Sequence, residues 1–138
     1  MRVFAWSFLL FPLVMISAVS WTVFDIVRGP RMVENAAPQD VPFDLPTDAT
    51  DVCYMTRPPT WPNTQFEFSV QEGSFRAWAE RRGYQVQEIV EPVVISRCTG
   101  LAHISSGLYY TRMSGPDSGQ HVAYDRQLAR AYYHSHTR

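Results

Sequence analysis

The stretch "AYYHSHTR" near the C-terminus places His134 and His136 two positions apart. On an extended backbone alternate side chains share a face, so both imidazoles project the same way, as two ligands of one metal must. A zinc site needs three or four such donors. His134 and His136 are therefore a metal candidate only if the fold brings in His121, His103 or a carboxylate. The plain alternative is a polar strand end near the terminus.

Cys53 and Cys98 are the only cysteines. They form no Cys-x-x-C pair, which leaves no thioredoxin-like or zinc-ribbon pattern. In an exported chain they are a candidate disulfide. Closing a loop of about 46 residues would stabilise the fold by about 4 kcal/mol on chain-entropy grounds. The alternative is two buried reduced thiols that pack as small apolar groups.

Asp125, Arg126 and Arg130 in "VAYDRQLARAYYH" have the types for an acid–base or anion-binding group. A turn at Asp125 and solubilising arginines at strand ends account for the same pattern. Trp61 lies among Pro58, Pro59 and Pro62. An aromatic on a rigid loop suits a binding surface, and Trp61, Arg126 and Arg130 are its candidates; a Trp folded back over the core is the alternative. Ser105 and Ser106, near His103, sit in no Gly-x-Ser-x-Gly elbow. The chain has no Walker loop, no Gly-x-Gly-x-x-Gly and no His-Glu-x-x-His. No catalytic residue and no cofactor is assigned.

The elements that would position these residues read as α+β. "DVCYMTR" (51–57) and "QFEFSV" (65–70) are strand candidates, the second alternating Phe66, Phe68 and Val70 on one face. "QEGSFRAWAERRG" (71–83) is the helix: Phe75, Trp78 and Ala79 make one apolar face, and Gly83 suits the position after its end. Ser69 with Glu72, or Ser74, would cap its start. "YQVQEIVEPVVISR" (84–97) reads as one strand broken at Pro92. Residues 107–114 and 120–125 flank "GPDSG" as a hairpin, and 130–135 is a last strand. The expected architecture is one helix packed on an antiparallel sheet of about five strands, preceded by an N-terminal transmembrane helix.

That last expectation rests on residues 3–24, an uncharged and mostly apolar run between Arg2 and Asp25. Roughly 20 such residues span a bilayer. Residues 1–28 read as an anchor, with membrane contact over residues 3–27. They read alternatively as a signal cleaved after Ser20, since Ala18-Val19-Ser20 is a small-x-small site. Arg28 and Arg31 after the span favour a cytoplasmic C-terminal part; the placement of the span at the start of the chain favours export, and an extracytoplasmic domain is the expectation. Residues 29–50, with Pro30, Pro38, Pro42 and Pro46 and four acids against Arg31, read as an extended linker. Val41, Phe43 and Leu45 alternate there as if laid on a surface. Residues 51–138 are the domain.

All twelve basic residues are Arg, which we read as GC-rich coding in a bacterial source, and the formal net charge is −1. Nothing in that balance draws the chain to nucleic acid. "FEFSVQEGSFRAWAERRGYQVQEI" and "GLYYTRMSGPDSGQHVAYDRQLARAYYHS" together resemble short bacterial membrane-anchored proteins whose extracytoplasmic part runs strand, helix, strand, hairpin. The resemblance carries no diagnostic motif and no assigned activity, so it implies architecture and no site residues. The functional expectation is an anchored interaction or structural module of the bacterial envelope with a protein or envelope-component partner. The alternative is a small metal-dependent or hydrolytic enzyme built on His134, His136 and His121.

Overall fold

A computed structural model describes residues 31–56 and 63–137. The strands run β1 (Arg31–Ala36), β2 (Thr50–Thr56), β3 (Thr64–Ser69), then helix α1 (Glu72–Arg81), then β4 (Gln87–Glu88), β5 (Val93–Arg97), β6 (Gly100–Ile104), β7 (Gly107–Gly115), β8 (Ser118–Asp125) and β9 (Arg130–His136). Seven of them form one sheet in the order β1-β2-β3-β9-β8-β7-β4, and β5 with β6 forms a separate two-stranded hairpin. Every pairing is antiparallel.

This corrects the expected α+β architecture. The described residues are mostly strand, with nine strands, one ten-residue helix and a single 3-10 turn at Pro38–Asp40. Three causes account for the difference. Pro92 divides the stretch 84–97 into the short β4 and the separate β5. "GLAHI" pairs back on β5 as a strand of its own. Residues 31–36, inside the stretch read as a linker, add an edge strand to β2. The expected transmembrane helix is not among the described residues, where no helix is long and apolar enough to cross a membrane. Residues 3–27 and Ser20 lie outside the described residues.

Alternation explains the two faces of the large sheet. On one face Val52, Phe66, Phe68, Leu108, Val122, Tyr124 and Ala131 are buried against Phe75, Trp78 and Ala79 of α1. Phe66 stacks on Tyr133 at 4.5 Å and on Phe43 at 4.7 Å between centroids. Val41 and Ala49 are buried in the same cluster, and Phe43 and Leu45 pack against it. Residues 41–49 thus lie on the core. α1 has Gln71 at its N-cap with no side-chain cap bond, so neither Ser69 nor Ser74 caps it. Its end is as the sequence indicates: Gly83 takes φ 75°, and Gly83 N and Tyr84 N donate to Glu80 O and Ala79 O.

The β5–β6 hairpin covers part of the opposite face. Ile95, Ala102 and Ile104 bury against Ala123 and Tyr132 in a second, smaller cluster. Gly107, at the start of β7, makes a close approach to the backbone of β8 possible. A Cβ there would lie 1.8 Å from Tyr124 O, so no other residue fits.

Candidate functional site

The register lays the chemistry-bearing residues in rows across the hairpin face. Cys53 pairs with Glu67, Glu67 with Tyr132, Tyr132 with Ala123 and Ala123 with Tyr109. The next row toward the strand end at Thr56 holds Met55, Gln65, His134 and His121. In the opposite direction lie Ser69 and Arg130. The sequence candidates Cys53, His121, His134 and Arg130 therefore share one face, because each occupies the parity opposite to the core positions.

Glu67 is the centre of the first row. Its side chain is 3% exposed, yet it sits between the core residues Phe66 and Phe68. Arg97 grips it at both oxygens, with Nε to Oε2 at 2.9 Å and Nη2 to Oε1 at 2.7 Å. Arg130 Nη2 donates to Oε1 at 3.0 Å. Arg130 Nη1 also donates to Asp51 Oδ2 and to Ser69 Oγ, the latter at 3.1 Å. Burial works against the charge on Arg130; its bonds to Asp51 and Glu67 more than offset that, and its pKa lies above the ordinary arginine value. Arg97 is raised chiefly by its bond to Glu67. Both guanidiniums are charged at any physiological pH.

Over this network opens a groove of about 490 Å³, lined by Glu34, Asp51, Cys53, Glu67, Arg97 and Arg130 among others. Its walls carry unusual backbone. Among the described residues the non-glycine residues with positive φ are Asn35 (52°), Asp51 (49°) and Ala129 (49°). Asn35 and Asp51 line the groove, and Ala129 precedes Arg130. Register shifts mark β-bulges at Val33/Ala36 and Thr50/Cys53. Bulges re-aim side chains, and left-handed non-glycine residues gather at binding sites. Arg130 Nε and Tyr132 OH are buried here without a hydrogen-bond partner.

The cysteines meet beside this groove. Both are free and buried, and each lies close enough to shift the other's titration. Burial, above all other effects, pushes both thiols up from their ordinary value, so neither is poised as a nucleophile at neutral pH.

The three histidines also meet, as a stack. Ring centroids are 5.9 Å apart for His121 and His134, 5.5 Å for His121 and His136, and 5.2 Å for His134 and His136. The planes are within 24° of parallel. His121 Nδ1 bonds to Tyr109 OH at 2.8 Å and Thr111 Oγ1 at 3.2 Å. Parallel rings present their nitrogens side by side, not toward one point about 2 Å from each, as zinc requires. Among the described residues no group of three or more His, Cys, Asp or Glu is placed to hold a metal ion. Burial first, and the charges of His136 and His121 second, bring the His134 pKa down to about 4.

Arg126 is taken up elsewhere. It donates to Glu72 at 2.7 and 2.9 Å and to Glu88 at 2.8 Å through two nitrogens, while Arg76 bridges the same two carboxylates. This network ties α1, β4 and the turn after β8 together and holds the Glu72 carboxyl down to about 2, the Arg126 hydrogen bond being the main cause. Asp125 caps its own turn through Gln127 N and Leu128 N. Trp61 lies outside the described residues.

Sequence reasoning missed Glu67, Arg97 and Asp51. Glu67 has the pattern of a solvent-facing residue on a half-buried strand; only the return of the hairpin over the sheet buries it. Compared with known protein families, curated proteins and solved structures, the chain gives no match. The chemistry of the site therefore has to speak for itself.

Proposed function

We propose that this domain is a non-catalytic binding module of the bacterial envelope, and that its partner is a protein presenting a basic side chain to the groove beside Glu67. The observation that carries this reading is the burial of Glu67 between Arg97 and Arg130 beneath a polar groove. Buried ion pairs contribute little to stability compared with apolar packing of the same volume. A network of this kind, framed by two bulges and three left-handed residues, is better accounted for by recognition. The charge balance selects the ligand. Arg97 and Arg130 are turned onto Glu67 and Asp51. Asp51, 58% exposed, and the exposed Glu34 put carboxylates at the rim. Counting the lining charges, three acids face two arginines.

The test is amide chemical-shift mapping of the full chain titrated with the tripeptide Gly-Arg-Gly. Shifts confined to Glu34, Asp51, Ser69 and Thr99, lost in Glu34→Gln/Asp51→Asn, are expected. Shifts spread evenly over every surface acid, or none at millimolar peptide, would discard the groove as a site for basic groups.

A second reading, the small metal-dependent or hydrolytic enzyme, is favoured by one observation: His136 Nδ1 is buried without a partner, next to a smaller groove of about 220 Å³. Calorimetric titration of the full chain with zinc decides it. Heat at micromolar protein, absent in His134→Gln, would favour this reading over the first.

A further inference from the structure

We propose that Cys53 and Cys98 are a modification site: under oxidising conditions they join in a disulfide that staples the β5–β6 hairpin to the seven-stranded sheet. This goes beyond the binding reading and does not depend on it.

Three observations carry it. The fold brings the two cysteines to one place. Cys53 stands on the hairpin face of β2, in register with Glu67. Cys98 follows Arg97, whose guanidinium grips Glu67 from the hairpin side. One ion pair thus brings Cys98, the next residue, to the side of the sheet that carries Cys53, and both thiols are buried there. The chain holds no third cysteine, so no intramolecular pairing competes. Lastly, the hairpin belongs to a different sheet from β2. Its inner face is held by side chains, in the small cluster around Ile95, Ile104 and Tyr132 and by the Arg97–Glu67 pair. A bridge at this spot would tie covalently what is otherwise attached by packing.

The chemistry balances with a small-molecule disulfide as oxidant. Each thiol gives up one proton and one electron, and the two sulfurs join. The two electrons and two protons reduce one molecule of oxidised glutathione to two thiols, through a mixed disulfide on the first cysteine that the second displaces. Because burial raises both thiols, the pair has the character of a structural bridge and not of a redox catalyst.

The test refolds the reduced full-length chain in a mixture of oxidised and reduced glutathione, then alkylates it and measures intact mass, peptide linkage and thermal midpoint. The expected result is no alkylation, a cross-link between the peptide starting at Cys98 and the one containing Cys53, and a midpoint at least ~10 °C above that of the reduced chain, as closing a loop of about 46 residues implies. Cys53→Ser serves as a control for linkage: its Cys98 should then take a single alkyl group or glutathione. Free alkylation of both thiols after refolding would overturn the proposal, and so would glutathione on each cysteine without a cross-link. A cross-link that leaves the midpoint unchanged or lower would overturn the staple.

Discussion

The face of the sheet under α1 and the face under the β5–β6 hairpin are built from the same strands, residue by alternate residue, and do opposite things with them. Under α1 the partners are aromatic and aliphatic, and the polar tips are satisfied. Trp78 Nε1 donates to Asp44 O at 2.8 Å, and Tyr124 OH to Val70 O at 3.1 Å. Under the hairpin the layer mixes a small apolar cluster with a buried carboxylate, two arginines and three histidines. Of the five buried polar atoms left without a partner among the described residues, four belong to this face, Gln65 Oε1, Arg130 Nε, Tyr132 OH and His136 Nδ1; the fifth is Asn63 Oδ1. Buried polar groups are normally paired. One face therefore holds the fold together, and the other spends part of that stability on a site.

The largest effect that can break this comparison is Trp78→Ala. Trp78 is 1% exposed and touches Phe66, Phe68, Phe75 and Tyr84. Its truncation should cost about 4 kcal/mol in urea unfolding. Glu67→Ala comes next. It strands two arginines, one of them 12% exposed, and should cost about 3 kcal/mol. A sharper form replaces the whole network by Glu67→Met, Arg97→Leu and Arg130→Met, expected to be about neutral or stabilising. A loss as large as that of Glu67→Ala would show that both faces serve stability alike.

The histidine stack supplies a third, smaller effect, with a fixed sign. The His134 pKa falls from 6.5 to about 4 on folding. Between those values the unfolded chain binds a proton that the folded chain does not. Stability is therefore complete above pH 6.5 and declines as pH falls toward 4. Thermal midpoints across that window should drop, and the drop should be shallower in His134→Gln. An unchanged slope in that variant would remove the stack from the account. The smallest effect belongs to Arg126→Gln. Its network with Glu72, Glu88 and Arg76 is solvent-facing, so the midpoint should fall slightly at low ionic strength and not at all in high salt.

Much of the α1 face was legible in the sequence. Phe75, Trp78 and Ala79 announce the helix, and Phe66 and Phe68 announce the strand beneath it, because a single periodicity governs each. The hairpin at "GPDSG" and the closing strand follow from turn chemistry and alternation. β1 was not legible: "RMVENA" is exposed at its first five positions, so burial leaves no alternation to read. β6 follows β5 after only two intervening residues, Cys98 and Thr99, and the reading of 84–97 as one strand stops short of it. The site was legible in part. Period two joins His134 to His136, but only the pairing of β8 with β9 brings His121 beside them. The environment of Glu67 depends on a hairpin returning over the sheet, which no local pattern encodes.

The register has a mechanical consequence. Arg31 pairs with Thr56, Thr56 with Thr64, and Thr64 with Ser135. Residue 31 and the end of β9 therefore leave the sheet at the same end, three strand spacings or about 15 Å apart. Asp51, Ser69 and Arg130 of the groove lie at the other end. A load applied between residues 31 and 136 would pull across the sheet on strand ends that lie on one side of it. It would unzip β1 from β2 one hydrogen bond at a time instead of shearing the ladder all at once. The domain is thus mechanically soft when loaded between residues 31 and 136, and peeling β1 would carry off the Glu34 and Asn35 wall of the groove while Asp51, Ser69 and Arg130, at the far end of the sheet, stay in place.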